Sequence, residues 1–183
     1  MSSRGRKRLT LYLIGFMGAG KTTVGQSLAK RLGLRFVDTD QLIERQSGQT
    51  VAALFAERGE RYFRALERKV VEQVSRQGKQ VVAVGGGAVM DDENWQRMQQ
   101  TGVTVYLKCS PTALERRLDA DTSRPLLQVG AGERRAEAIR GLLALREPRY
   151  MRAQVVIGVQ DDTTVEELVE QLVEVFHRHY GGV

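Results

Sequence analysis

The chain has 183 residues, 42% hydrophobic and 27% charged, which suits one folded domain around a single core. No apolar run is long enough to span a bilayer, and the lone cysteine, Cys109, excludes an internal disulfide framework and fits a reducing cytoplasm. The net charge of +6 is uneven: Arg4, Arg6, Lys7 and Arg8 precede every acidic residue, so residues 1–8 read as a disordered basic tail and not as a nucleic-acid surface.

The run Leu9–Gly15 reads as a buried strand. A signal-peptide reading of the basic start fails, because cleavage would remove or destroy Gly20-Lys21-Thr22 just beyond. Lys21–Leu32 is predicted helical, ended by Gly33, and Arg35–Asp38 is a short second strand. Asp40–Ser47 and Val51–Arg58 follow as short helices, the second capped by Thr50; Glu60–Gln77 is a longer helix that Gly78 is placed to stop. Gln80–Val84 is a third strand running into Gly85-Gly86-Gly87, Asp91–Gln100 a helix, and Val103–Leu107 a fourth strand.

Ser110 and Pro111 open a helix to about Leu118 as N-cap and first-turn proline. Residues 119–132, with Pro125 and two glycines, break the periodicity and read as an arginine-bearing lid. Glu133–Tyr150 is helical again, with Pro148 expected to disturb its last turn. Gln154–Val159 is a fifth strand, and Thr164 with Glu167 forms a capping box for a last helix to about Tyr180. Five apolar strands alternating with helices imply a parallel sheet covered on both faces, in which ligands bind beyond the carboxyl ends of the strands.

The chemistry-bearing residues fall at those ends. Gly15-Phe16-Met17-Gly18-Ala19-Gly20-Lys21-Thr22 matches the phosphate-binding pattern G-x-x-x-x-G-K-[ST] between a strand and a helix. Its backbone N–H groups and the helix N-terminus suit phosphate oxygens, Lys21 reaches the β and γ phosphates, and the Thr22 hydroxyl suits Mg²⁺. The third strand carries no terminal carboxylate, so Asp38 is the expected acidic partner of the metal. Asp40, two residues on, can orient an attacking hydroxyl, or it can cap the helix that follows it.

Arg64, with Glu67 three residues later, and Arg146 are fork-shaped donors suited to a carboxylate. Arg116, Arg117 and Arg124 surround the lid segment, and Arg124 beside Pro125 is the choice for offsetting charge on ATP. His177 and His179 face different ways on one helix and make a poor metal pair.

Taken in order, Gly15–Thr22, Asp38-Thr39-Asp40, Gly59-Glu60 leading to Phe63-Arg64, Gly85-Gly86-Gly87, Arg124-Pro125-Leu126-Leu127 and Arg146-x-Pro148-x-Tyr150 resemble the shikimate kinase family from about Leu9 to the last helix. The resemblance implies a three-layer α/β P-loop fold of the nucleoside-monophosphate-kinase kind with a five-stranded parallel sheet. It implies MgATP-dependent phosphorylation of the shikimate 3-hydroxyl, a step toward chorismate and the aromatic amino acids, by a cytoplasmic monomer. Carried over by position, Gly18, Ala19, Gly20, Lys21, Thr22 and Thr23 hold the phosphates, Thr22 ligates Mg²⁺, and Asp38 acts on the metal through water.

The resemblance further makes Asp40 the candidate base, gives the shikimate carboxylate to Arg64 and Arg146, and sets Gly86 against the ring. Phe55 and Phe63 pack at the pocket, Arg124 contacts ATP, and Asp161–Thr163 lies near adenine. Two departures are visible: Thr22-Thr23 stands where Ser-Thr is commoner, and Val84 precedes the glycines where the family often has Thr. Two alternatives remain open on sequence alone: another small-molecule kinase of the same fold, for gluconate or a nucleotide, and a P-loop module that binds nucleotide without turnover.

Overall fold

The structure, a computed structural model, describes residues 9–118 and 133–181. Its strands are β1 (Thr10–Ile14), β2 (Arg35–Asp38), β3 (Gln80–Ala83), β4 (Val103–Cys109) and β5 (Val155–Val159), all parallel, in the order β2-β3-β1-β4-β5. The inner strands β1 and β3 are buried along their whole length, as the continuous apolar runs require, whereas edge strand β5 alternates buried with exposed.

The helices are α1 (Lys21–Leu32), α2 (Thr39–Ser47), α3 (Val51–Ser75), α4 (Asp92–Thr101), α5 (Pro111–Leu118), α6 (Glu133–Tyr150) and α7 (Val165–Tyr180), with a 3₁₀ turn at Ala88–Met90. The chain moves one way across the sheet from β1 to β2 and the other way in its later crossovers. Right-handed connections therefore set α1 on one face and α3, α4 and α6 on the other. The helix α7 returns to pack on α1, which completes three layers.

Most local signals act as expected. Gly33 closes α1 in the left-handed region at φ 64°, Thr50 accepts from the Ala53 N–H, and Thr164 and Glu167 form the full capping box. The two helices expected on either side of Gly59 are both present within the span α3 and meet at a kink, where Gly59 is non-helical at φ 76° and ψ 169°. That conformation is open to glycine, so the chain turns between Arg58 and Glu60 without a loop.

Several boundaries differ from expectation by a residue or two, although α6 keeps the predicted bounds Glu133–Tyr150 and runs through Pro148, which removes one helical N–H. The helix α3 stops at Ser75 with Arg76 as C-cap, so Gly78 is not its terminator. Strand β5 begins at Val155, because the side chain of Gln154 is turned to accept from the Thr104 N–H at 2.9 Å.

The register positions the site. Asp38 pairs with Ala83, Ala83 with Leu13, and Leu13 with Val105, so β2, β3 and β1 end at one level. Two residues beyond that level stand Asp40, Gly85 and Gly15. Three segments far apart in sequence thus emerge side by side on one rim of the sheet.

Candidate active site

The P-loop follows β1 and turns into α1 at Gly20, whose φ of 86° belongs to the left-handed region. Lys21 Nζ lies 2.8 Å from the carbonyl oxygens of both Gly15 and Phe16, folded over the loop that it closes. Thr22 donates its hydroxyl to Asp38 Oδ2 at 2.7 Å. Asp38 Oδ1 accepts from the N–H groups of Asp40 and Gln41, so Asp38 is the N-cap of α2. One carboxylate therefore fixes the start of α2 and meets the P-loop hydroxyl. Because Asp38 does the capping, α2 starts at Thr39 and Asp40 is spared that task.

These groups line a cleft of about 600 Å³, together with Gly18, Gly20, Thr23, Gly85, Gly86 and Arg117. Arg117 also reaches the Gly18 carbonyl at 3.4 Å and the Cys109 sulfur at 3.6 Å. Cys109 itself is buried at the end of β4, and burial pushes its thiol up from the ordinary value. Asp161–Thr163 does not line the cleft; Asp161 pairs with Arg116. Arg124 and the segment 119–132 lie outside the described residues, as do residues 1–8.

The sequence expectation that Thr22 and Asp38 hold Mg²⁺ fits this geometry. A hydroxyl and a carboxylate at 2.7 Å present the hard oxygen donors that Mg²⁺ takes alongside phosphate and water. Among the described residues no cluster of three or more His, Cys, Asp or Glu is placed to hold a metal, and a phosphate-bridged ion needs none.

A smaller cavity of about 60 Å³ adjoins the cleft and shares Met17, Asp40, Val51 and Gly86 with it. Its other walls are Phe55, Phe63, Arg64, Glu67, Gly87 and Arg146. Phe55 and Phe63 pack with their rings tilted by 40° at 4.8 Å between centroids and give it an apolar side. The guanidinium of Arg64 lies 5.4 Å over the Phe63 ring and that of Arg146 lies 5.8 Å over Phe16. Arg64 is tied to Glu67 Oε2 at 2.8 Å and to Glu60 at 3.0 Å.

Two of the glycines behind this cavity lie hard against site side chains. A Cβ on Gly85 would fall 2.6 Å from Asp40 Oδ1, and one on Gly87 would fall 2.4 Å from Arg64 Nη1. The Gly85 N–H donates to Thr39 Oγ1 at 2.8 Å, which ties the start of α2 to the glycine run.

Electrostatics divide the acidic groups. Glu67 is almost fully buried, which raises its carboxyl from 4.5 to about 7; Asp40 pushes the same way, while Arg64 and Arg146 pull it down. Burial also raises the Tyr150 phenol to about 12, with Arg146 opposing. The cavity therefore combines two cations, the Asp40 carboxylate and a carboxyl that titrates near neutrality.

Of the expected site residues within the described part, Gly18, Gly20, Lys21, Thr22, Thr23 and Asp38 line the cleft, Arg64 and Arg146 the cavity, and Asp40 and Gly86 both, whereas the Ala19 side chain is buried in the core. Sequence reasoning missed the hydroxyl of Thr39 on Gly85 and the hydroxyl of Tyr150 on the Gly86 carbonyl, the latter at 2.6 Å. The signal for Tyr150 was its place one helical turn after Arg146.

A parallel sheet with a phosphate loop after β1 and a polar acceptor cavity beside it defines a P-loop kinase of the nucleoside-monophosphate-kinase type. The chain belongs to the shikimate kinase family: the family model described as shikimate kinase matches residues 17–177. A shikimate kinase of Caldanaerobacter subterraneus subsp. tengcongensis is 42% identical over 171 residues, spanning 93% of this chain and 98% of that one. One from Thermodesulfovibrio yellowstonii is 40% identical over 172 residues, spanning 94% and 97%.

Among solved structures, shikimate kinase from Acinetobacter baumannii in complex with shikimate matches with a TM-score of 0.88 at 35% identity, covering 96% of each chain. A gluconokinase from Sinorhizobium meliloti, at 17% identity and a TM-score of 0.61 over 97% of each chain, shares the fold. Among the described residues no helix is long and apolar enough to cross a membrane.

Proposed function

We propose that this chain transfers the γ-phosphoryl group of MgATP to the 3-hydroxyl of shikimate, giving shikimate 3-phosphate and ADP. The observation that carries the reading is the placement of Asp40, lining both the P-loop cleft and the cavity of Arg64 and Arg146. A rigid acceptor bearing a carboxylate and neighbouring hydroxyls suits that cavity: the carboxylate meets two guanidinium groups, and a hydroxyl meets the carboxylate that faces the triphosphate.

In this reading the N–H groups of Gly18–Thr23 and Lys21 bind the phosphates, and Arg124 is assigned to ATP by its place in the family motif. Thr22 would hold the metal directly and Asp38 through water; the ion supplies charge neutralisation on the β and γ phosphates. Asp40 orients the 3-hydroxyl and accepts its proton as the new O–P bond forms and the bond from the γ-phosphorus to the bridging oxygen breaks. Arg64 and Arg146 hold the carboxylate bidentately and Gly86 lets the ring approach the backbone. The enzyme acts as a monomer in the cytoplasm on two small molecules, without nucleic acid or membrane.

Shikimate-dependent ADP release, measured against gluconate, AMP and CMP, tests the assignment. Turnover with shikimate and little with the others is expected. Comparable rates on gluconate would overturn it, and ATP binding without turnover of any acceptor would favour a silent nucleotide-binding module.

A further inference from the structure

The carboxyl end of α6 makes a contact that none of the roles above uses. Tyr150 is fully buried, its ring stacked on Tyr106 at 5.0 Å between centroids and 29° between planes. Its hydroxyl donates to the Gly86 carbonyl at 2.6 Å, across 64 residues of sequence. Arg146, one turn earlier on the same helix, bears on the same phenol and opposes the effect of its burial. A Cβ placed on Gly86 would lie 3.5 Å from Arg146 Nη1 and 3.5 Å from the Tyr150 hydroxyl, so all three groups meet around one peptide unit.

The arrangement has a chemical consequence. A buried backbone carbonyl beside a guanidinium is a strong competitor for its N–H donors. With the phenol donating to that carbonyl, Arg146 is offered the weaker phenol lone pair and keeps its other donors for an incoming anion. The same hydroxyl fixes the plane of the Gly86 peptide, which glycine would otherwise leave free to turn. Stacking on Tyr106 holds the ring, so the hydroxyl is set before any acceptor arrives.

We infer that Tyr150 is a positioning residue of the acceptor cavity, its hydroxyl holding the Gly86 peptide and the Arg146 guanidinium in the arrangement that receives an anionic acceptor. It acts through those two groups and not on the reacting atoms. The inference rests on the assignment of the cavity to the carboxylate of the acceptor.

Tyr150→Phe keeps the ring and its stack and deletes the hydroxyl. The shikimate KM is expected to rise roughly tenfold, the scale of one hydrogen bond to a charged group. The ATP KM and kcat stay within about twofold, because an interaction made equally in ground and transition states moves KM alone. The Tm falls by about 2–4 °C as the Gly86 carbonyl loses its partner. KM does not depend on the fraction of folded enzyme, so lost stability by itself does not mimic this split.

Combining Tyr150→Phe with Arg146→Lys should raise KM by less than the product of the two single effects, since both disturb one guanidinium. An unchanged shikimate KM in Tyr150→Phe, or multiplicative effects in the double variant, overturns the role. Wild-type enzyme in the same assay separates the failures. No shikimate-dependent ADP from wild type overturns the proposed function and this role with it, whereas normal wild-type kinetics beside an unaltered Tyr150→Phe overturns the role alone.

Discussion

The two halves of the site are built differently. The nucleotide half is one contiguous segment, Gly15–Thr23, in which backbone N–H groups, a helix start and one lysine do the work, with Asp38 as an added carboxylate. The acceptor half is made of side chains from α2, α3 and α6 and of backbone from the turn after β3. In the proposed reading the first half recognises what all nucleoside triphosphates share, and the second recognises one acceptor.

The sharpest way to break the comparison is on the nucleotide side. Lys21→Ala removes the cation that faces the developing charge, so kcat should fall by about 10²–10³-fold or more whatever the acceptor. A drop confined to the shikimate KM would mean that the two halves are not separate. Next in size is Arg146→Ala, which should raise the shikimate KM roughly 10- to 100-fold, the range for a hydrogen-bonded charged pair, with little change in the ATP KM. Steady-state kinetics at saturating levels of the other substrate decide both.

The smallest effect is a pH dependence. Glu67 sits at about 7 in the fold against an ordinary 4.5. Between those values the folded protein keeps a proton that the unfolded chain has released. The stability tied to Glu67 is therefore complete below about 4.5 and is lost as pH rises through about 7. Wild-type Tm should fall relative to that of Glu67→Gln across this window. The shikimate KM should rise over the same range, as ionised Glu67 adds negative charge beside the carboxylate site. Parallel Tm profiles for the two proteins would remove Glu67 from the account.

The same division explains what the sequence made legible. The P-loop, the Gly33 stop and the Thr164–Glu167 capping box are each specified within a few neighbouring residues, and all appear where the pattern puts them. Arg64 and Arg146 were recognisable as anion-binding types, and their convergence followed once the strands were set in parallel order.

What escaped were contacts that only tertiary packing creates. Thr39 is an unremarkable helix-start residue until Gly85 arrives from β3, and Tyr150 is a core aromatic until its hydroxyl meets Gly86. The double duty of Asp38 was hidden for a related reason. Its two oxygens serve a local cap and a distant hydroxyl; the P-loop pattern pointed to the second, while the cap could equally have been given to Asp40, two residues on.

Asp40 is the residue through which the two halves meet. Asp40→Asn keeps size and shape and removes the charge, and it can be read by steady-state kinetics with shikimate alongside calorimetric binding of ATP. In this variant kcat should fall by about 10²-fold or more, the scale of a lost acid–base group, shikimate should bind more weakly, and ATP affinity should hardly move. Unchanged turnover, or a loss of ATP binding in place of shikimate binding, would contradict this role of Asp40.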